Sequence, residues 1–132
     1  MKKAMVLTIT LITCAMIFSG CCVKNNGETP SEYKKITASQ AYDMMNEKEV
    51  TVVDVRTKSE YEKGHIKDAI LIPNETIDSA PPTQLPDKNA IILVYCRSGR
   101  RSREAAEKLI KLGYKNVYDF GGINDWTYGT VK

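Results

Sequence analysis

No stretch constrains the fold of this chain more than Ala90-Ile91-Ile92-Leu93-Val94-Tyr95. An uncharged run of this kind, without polar alternation, reads as a central strand covered on both faces. A strand buried on both sides calls for a parallel sheet with helices packed above and below it. From Ile36 onward the chain supplies such partners, with strand and helix signals taking turns.

Thr37-Ala38-Ser39-Gln40 has the spacing of a capping box and predicts a helix through about Asn46, with Ala41, Met44 and Met45 on one side. Val50-Thr51-Val52-Val53-Asp54-Val55 is short and β-branched, a strand that carries Asp54 and Arg56 at its C-terminal end. Ser59 to Lys63 reads as a brief helix stopped by Gly64, and Ala69-Ile70-Leu71-Ile72 as a third strand ended by Pro73. Pro81, Pro82 and Pro86 exclude a long helix over 74–89. Ser102 is expected to cap a helix that buries Ala105, Ala106, Leu109, Ile110 and Leu112 and stops at Gly113. Asn116 to Phe120 gives a fifth strand, and Gly121-Gly122 turns into a last short helix containing Trp126. Strands separated by helices make an α/β fold, in which ligands gather beyond the carboxyl ends of the strands.

At that end of the central strand stands Tyr95-Cys96-Arg97-Ser98-Gly99-Arg100-Arg101-Ser102. A thiol that leaves a buried strand and enters a turn before a helix meets backbone N–H groups and the positive helix end, both of which favour thiolate. Arg97, Arg100 and Arg101 add charge that attracts anions. A surface turn with an incidental cysteine is the bland reading, but a thiol exposed among arginines invites oxidation and serves structure poorly.

The N-terminal segment sets where that thiol is expected to work. Met1-Lys2-Lys3 is a basic n-region, and Ala4 to Phe18 is an apolar stretch without charge. It falls short of the roughly 20 residues of a membrane span and has the flanks of a secretory signal. Phe18-Ser19-Gly20-Cys21 resembles the lipobox of bacterial lipoproteins, in which cleavage precedes a cysteine that becomes diacylated. An ordinary signal peptide or an uncleaved anchor would carry similar flanks. The expected organisation is a signal peptide over 1–20, a tether over 21–34 rich in breakers, and one folded domain over 35–132. The domain would be held by lipid at Cys21 on the extracytoplasmic face of the membrane.

Loss of residues 1–20 takes the formal charge from +3 to +1, since Lys2 and Lys3 leave and no acid does. Such a balance gives no reason to expect a nucleic-acid partner, and the processed chain has length for one core. Cys14 leaves with the signal, Cys22 stands beside the anchor, and Cys96 alone lies in the folded part, which is therefore expected to be stable without disulfides.

Asp54-Val55-Arg56, Glu60-Tyr61, Gly64-His65-Ile66, Ala69 and Ile72-Pro73 resemble the first signature of the rhodanese family. Cys96 to Ser102 is similar to that family's active-site loop, and Gly121-Gly122-Ile123 with Trp126 to its closing segment. The resemblance spans about residues 35–131. It implies a rhodanese-like fold, a five-stranded parallel sheet flanked by helices, and sulfurtransferase activity through a persulfide on Cys96. Backbone amides of residues 97–102, with Ser98, Gly99 and Ser102 among them, would cradle the persulfide, while Arg97, Arg100 and Arg101 recruit a donor such as thiosulfate. The acceptor would be a thiol or cyanide.

Covalent sulfur transfer of this kind needs a nucleophile and an anion cradle, so no metal, organic cofactor or general base is expected, and the domain is read as a monomer. Asp54 and Arg56 are read as a brace that shapes the site, the lone His65 as a structural hydrogen-bonder, and Trp126 as packing. A cysteine phosphatase or arsenate reductase is the enzymatic rival, but its Cys-x₅-Arg loop would need arginine where Ser102 stands. A noncatalytic binding module and a tethered persulfide carrier or redox partner are rivals of a different class.

Overall fold

The computed structural model describes residues 32–132. In chain order these form β1 (Lys34–Lys35), α1 (Ala38–Glu47), β2 (Thr51–Asp54), α2 (Lys58–Lys63), β3 (Ile70–Leu71), β4 (Ile91–Cys96), α3 (Arg100–Lys111) and β5 (Asn116–Gly122), with 3-10 turns at Asn74–Thr76 and Ile123–Asp125. The strands make one five-stranded sheet in the order β1-β5-β4-β2-β3, and every pairing is parallel. The fold is therefore the expected α/β arrangement, with β4 in the middle. The expectations for residues 1–31, including the signal peptide, Cys21, Cys22 and most of the tether, lie outside the described residues.

Local chemistry explains the elements. Thr37 and Gln40 close the predicted capping box of α1, each side chain accepting from the other's backbone N–H. Thr57 and Glu60 form a second one at the head of α2, which places a carboxylate in the first turn where the helix dipole favours it. Alternation along β4 divides the core. Ile92, Val94 and Cys96 join Val53, Ile72, Ile77, Ala105, Ala106 and Leu109 on one face. Leu93 and Tyr95 join Ala41, Ile66, Phe120 and Trp126 on the other. Burial of both faces is what the uncharged run requires.

The edge strand β1 spans Lys34–Lys35. Two expectations are corrected. The third strand is Ile70–Leu71 only: Ala69 turns its N–H back to the Ile66 carbonyl, and the pairing with β2 closes with the Ile72 N–H donating to the Asp54 carbonyl. Ser102 does not cap α3: the helix starts at Arg100, and Gly99 holds the cap position with φ +107. That left-handed conformation is open to glycine at little cost, and it lets the chain reverse tightly after Cys96.

Candidate active site

Cys96 is the last residue of β4, at the carboxyl edge of the sheet, and its side chain is 1 % exposed. Its Sγ accepts the Gly99 N–H at 3.0 Å. Burial by itself would push the thiol up. The backbone N–H groups of Ser102 and Gly99 oppose it, with smaller help from the Ser102 hydroxyl and the Ser98 N–H, and the net result lies below the ordinary thiol value. The turn and the first residues of α3 thus act together as the amide cradle that the sequence suggests.

The floor of this loop is built by β5. Between Val94 and Cys96 the β4–β5 register slips, so that Val94 faces Asp119 but Cys96 faces Gly122. Asp119 stabilises the irregularity by accepting the Gly121 N–H at 2.9 Å. Gly122 then lies so close under Arg97 and Ser98 that a Cβ there would strike the Arg97 carbonyl. Ser102, fully buried, donates its hydroxyl to Asp119 at 2.6 Å, a far better contact than its 3.7 Å approach to Sγ. Its role is to fasten α3 to β5, and it offers the sulfur chiefly its backbone N–H. Asp119 was not singled out by the sequence; a carboxylate two residues before a Gly-Gly pair is the signal that could have found it.

In front of the sulfur lies a cavity of about 460 Å³, lined by Glu60, Glu75, Cys96, Arg97, Ser98, Arg100 and Arg101. The three arginines differ sharply. Arg101 makes a bidentate pair with Glu60, with both contacts at 2.8 Å. This guanidinium, with the Thr57 groups behind it, holds the Glu60 carboxyl far below the usual range against the opposing effect of burial. Arg100 pairs with Glu104 one turn along α3 at 2.6 Å. Arg97 is exposed and has no ion pair among the described residues. Glu60 and Glu75 are the acidic residues that reading the loop alone missed; the Thr57-x-x-Glu60 capping spacing marks the first.

Asp54 and Arg56 form a brace, but they do not line this cavity. Arg56 donates to Asp54 through Nε and Nη2 at 2.7–3.1 Å and to the Gly64 carbonyl at 2.8 Å. The Tyr95 hydroxyl donates to Asp54 at 2.7 Å and accepts the Ile66 N–H at 3.0 Å. Every partner in this buried group is matched, which a charge pair out of water demands. The group ties the ends of β2 and β4 to the Gly64–Ile66 segment, on the face of β4 opposite the thiol. His65 stacks on Tyr61 and donates from Nδ1 to its carbonyl at 3.1 Å. Trp126 packs on Phe120 and donates to the Gly129 carbonyl at 2.9 Å.

A buried thiol held by N–H donors in this loop on this sheet agrees with what comparison with known proteins finds: residues 37–128 match the model of the rhodanese-like domain. The chain belongs to the rhodanese-like family. It is 39 % identical over 80 residues to the thiosulfate sulfurtransferase PspE of Escherichia coli K12, covering 61 % of this chain and 77 % of that one. It is 30 % identical over 95 residues to the thiosulfate sulfurtransferase GlpE of Coxiella burnetii, covering 71 % and 87 %. Among solved structures, a rhodanese-related protein from Thermoplasma volcanium superposes with a TM-score of 0.65 at 31 % identity, over 75 % of this chain and 98 % of its own. Relatives named as sulfurtransferases thus share the rhodanese-like domain in which Cys96 ends the central strand.

Proposed function

We propose that the protein is a thiosulfate sulfurtransferase that carries sulfane sulfur on Cys96. The observation that supports this most is the buried sulfur itself, cradled by N–H donors and opening onto a small polar cavity. In the first half-reaction the Cys96 thiolate attacks the outer sulfur of thiosulfate. The new S–S bond forms as the S–S bond of the donor breaks, and sulfite leaves with the electron pair. The amides of the loop stabilise the resulting persulfide anion as they do the thiolate. In the second, a thiol or cyanide takes the outer sulfur and returns the thiolate, completing two-step covalent catalysis.

Arg97 and the loop amides receive the anionic donor, while Arg100 and Arg101 are largely neutralised by their own glutamates. A phosphatase reading finds no support, because the position that should offer a guanidinium holds Ser102, buried and bonded to Asp119. Intact-mass measurement before and after thiosulfate tests the proposal. One sulfur should be gained by the wild type and none by Cys96→Ala, which should also fail to form thiocyanate from cyanide. Thiocyanate formation surviving in Cys96→Ala would overturn it.

A further inference from the structure

Two charged side chains on the cavity wall are left over once the ion pairs are drawn. Arg101 is spent on Glu60 and Arg100 on Glu104. Arg97 and Glu75 line the same cavity as Cys96, yet neither makes a side-chain hydrogen bond or ion pair among the described residues, with each other or with anything else. Glu75 does bear on the cavity through space, since its charge helps to hold Arg101 protonated. Nor is its position loose. Asn74, just before it, is buried and donates to Glu104 at 3.0 Å, while Lys108 donates to the Asn74 carbonyl at 2.9 Å. The short turn that carries Glu75 is therefore pinned to α3 through Glu104 and Lys108.

The uncommitted charges around the thiol are thus one cation and one anion. A doubly anionic donor is matched by Arg97 and the amides but gains nothing from Glu75. An unpaired carboxylate on the wall of the cavity that Cys96 lines has another use, and a ligand with an ammonium group supplies it. We propose that the sulfur acceptor is a small zwitterionic aminothiol, its ammonium facing Glu75 and its carboxylate facing Arg97. This inference rests on the persulfide reading above and names the substrate of the second half-reaction. The acceptor thiolate attacks the outer sulfur of the Cys96 persulfide, and the bond from that sulfur to Sγ breaks with its electrons left on Sγ. An aminothiol persulfide leaves, and the proton of the acceptor thiol ends on that product or on Cys96, so no outside oxidant or reductant is consumed.

The test loads the full chain with thiosulfate, or with polysulfide where thiosulfate fails, and follows loss of the added sulfur by intact mass. Cysteine, cysteamine and 3-mercaptopropionate serve as acceptors, compared at equal thiolate concentration. Cysteine should discharge the wild type about three- to tenfold faster than 3-mercaptopropionate, the range expected for one partly shielded charge contact. Glu75→Gln should slow cysteine and cysteamine by that factor while 3-mercaptopropionate holds or speeds up. Arg97→Gln should slow cysteine and 3-mercaptopropionate more than cysteamine. Equal discharge by all three acceptors, or Glu75→Gln acting on them alike, would overturn the inference and leave the persulfide reading standing. A chain that takes sulfur from neither donor would overturn both.

Discussion

Cys96 carries two opposed influences. Burial favours the neutral thiol, and the N–H groups of Ser102 and Gly99 favour the anion; the second prevails. The expected consequence has a definite sign: a lowered thiol pKa moves the rise in nucleophilicity to lower pH, so more thiolate is present at neutrality. Iodoacetamide alkylation followed against pH should show its midpoint clearly below the free-thiol value of about 8.5. A midpoint at or above that value would mean that the cradle does not compensate for burial. At this scale the place of Cys96 at the end of β4 and the amides turned toward its sulfur were legible, because both follow from chain order alone. The fate of the arginines was not legible. Glu60 lies on another element 41 positions from Arg101, and only the fold brings their side chains to 2.8 Å.

The elements depend on one another most closely where β5 passes under the loop. Gly122→Ala should force the Arg97 carbonyl away, since the added methyl has no free space to enter. Overpacking of this kind costs about 1–3 kcal/mol, so the urea midpoint should fall. The alkylation midpoint of Cys96 should rise with it as the N–H groups lose their aim. A Gly122→Ala variant with both midpoints unchanged would show that the loop does not rest on this residue. The strands and helices were readable where pattern and caps were strong, as in the Thr37–Gln40 box and the apolar β4. Ser102 misled because a serine before a helical pattern normally caps it; here Gly99 turns earlier and Asp119 claims the hydroxyl. The 3-10 turn at Asn74–Thr76 had no sequence period to announce it, although it carries Glu75 into the cavity.

For the molecule as a whole, we propose attachment to a membrane through lipid on Cys21, supported by the basic start, the uncharged Ala4–Phe18 stretch and Phe18-Ser19-Gly20-Cys21. Two acyl chains or more hold a protein lastingly where one does so marginally. In a bacterial host the full chain should therefore fractionate with membranes, and Cys21→Ser should release it or leave it unprocessed. Unchanged fractionation and an unchanged mature mass in that variant would refute the anchor. The folded part has a property of a different order, which follows from the place of Gly122 beneath the loop. Parallel strands pair only after intervening chain has crossed over, so such sheets assemble through distant contacts and not through hairpins. The support for the Cys96 loop comes from β5, the last strand in order among the described residues. A polypeptide ended before Asn116 holds the cysteine and the loop arginines but lacks Asp119 and Gly122, the floor of the turn. The turn around Cys96 is thus complete only when two segments far apart in the sequence, β4 and β5, have met.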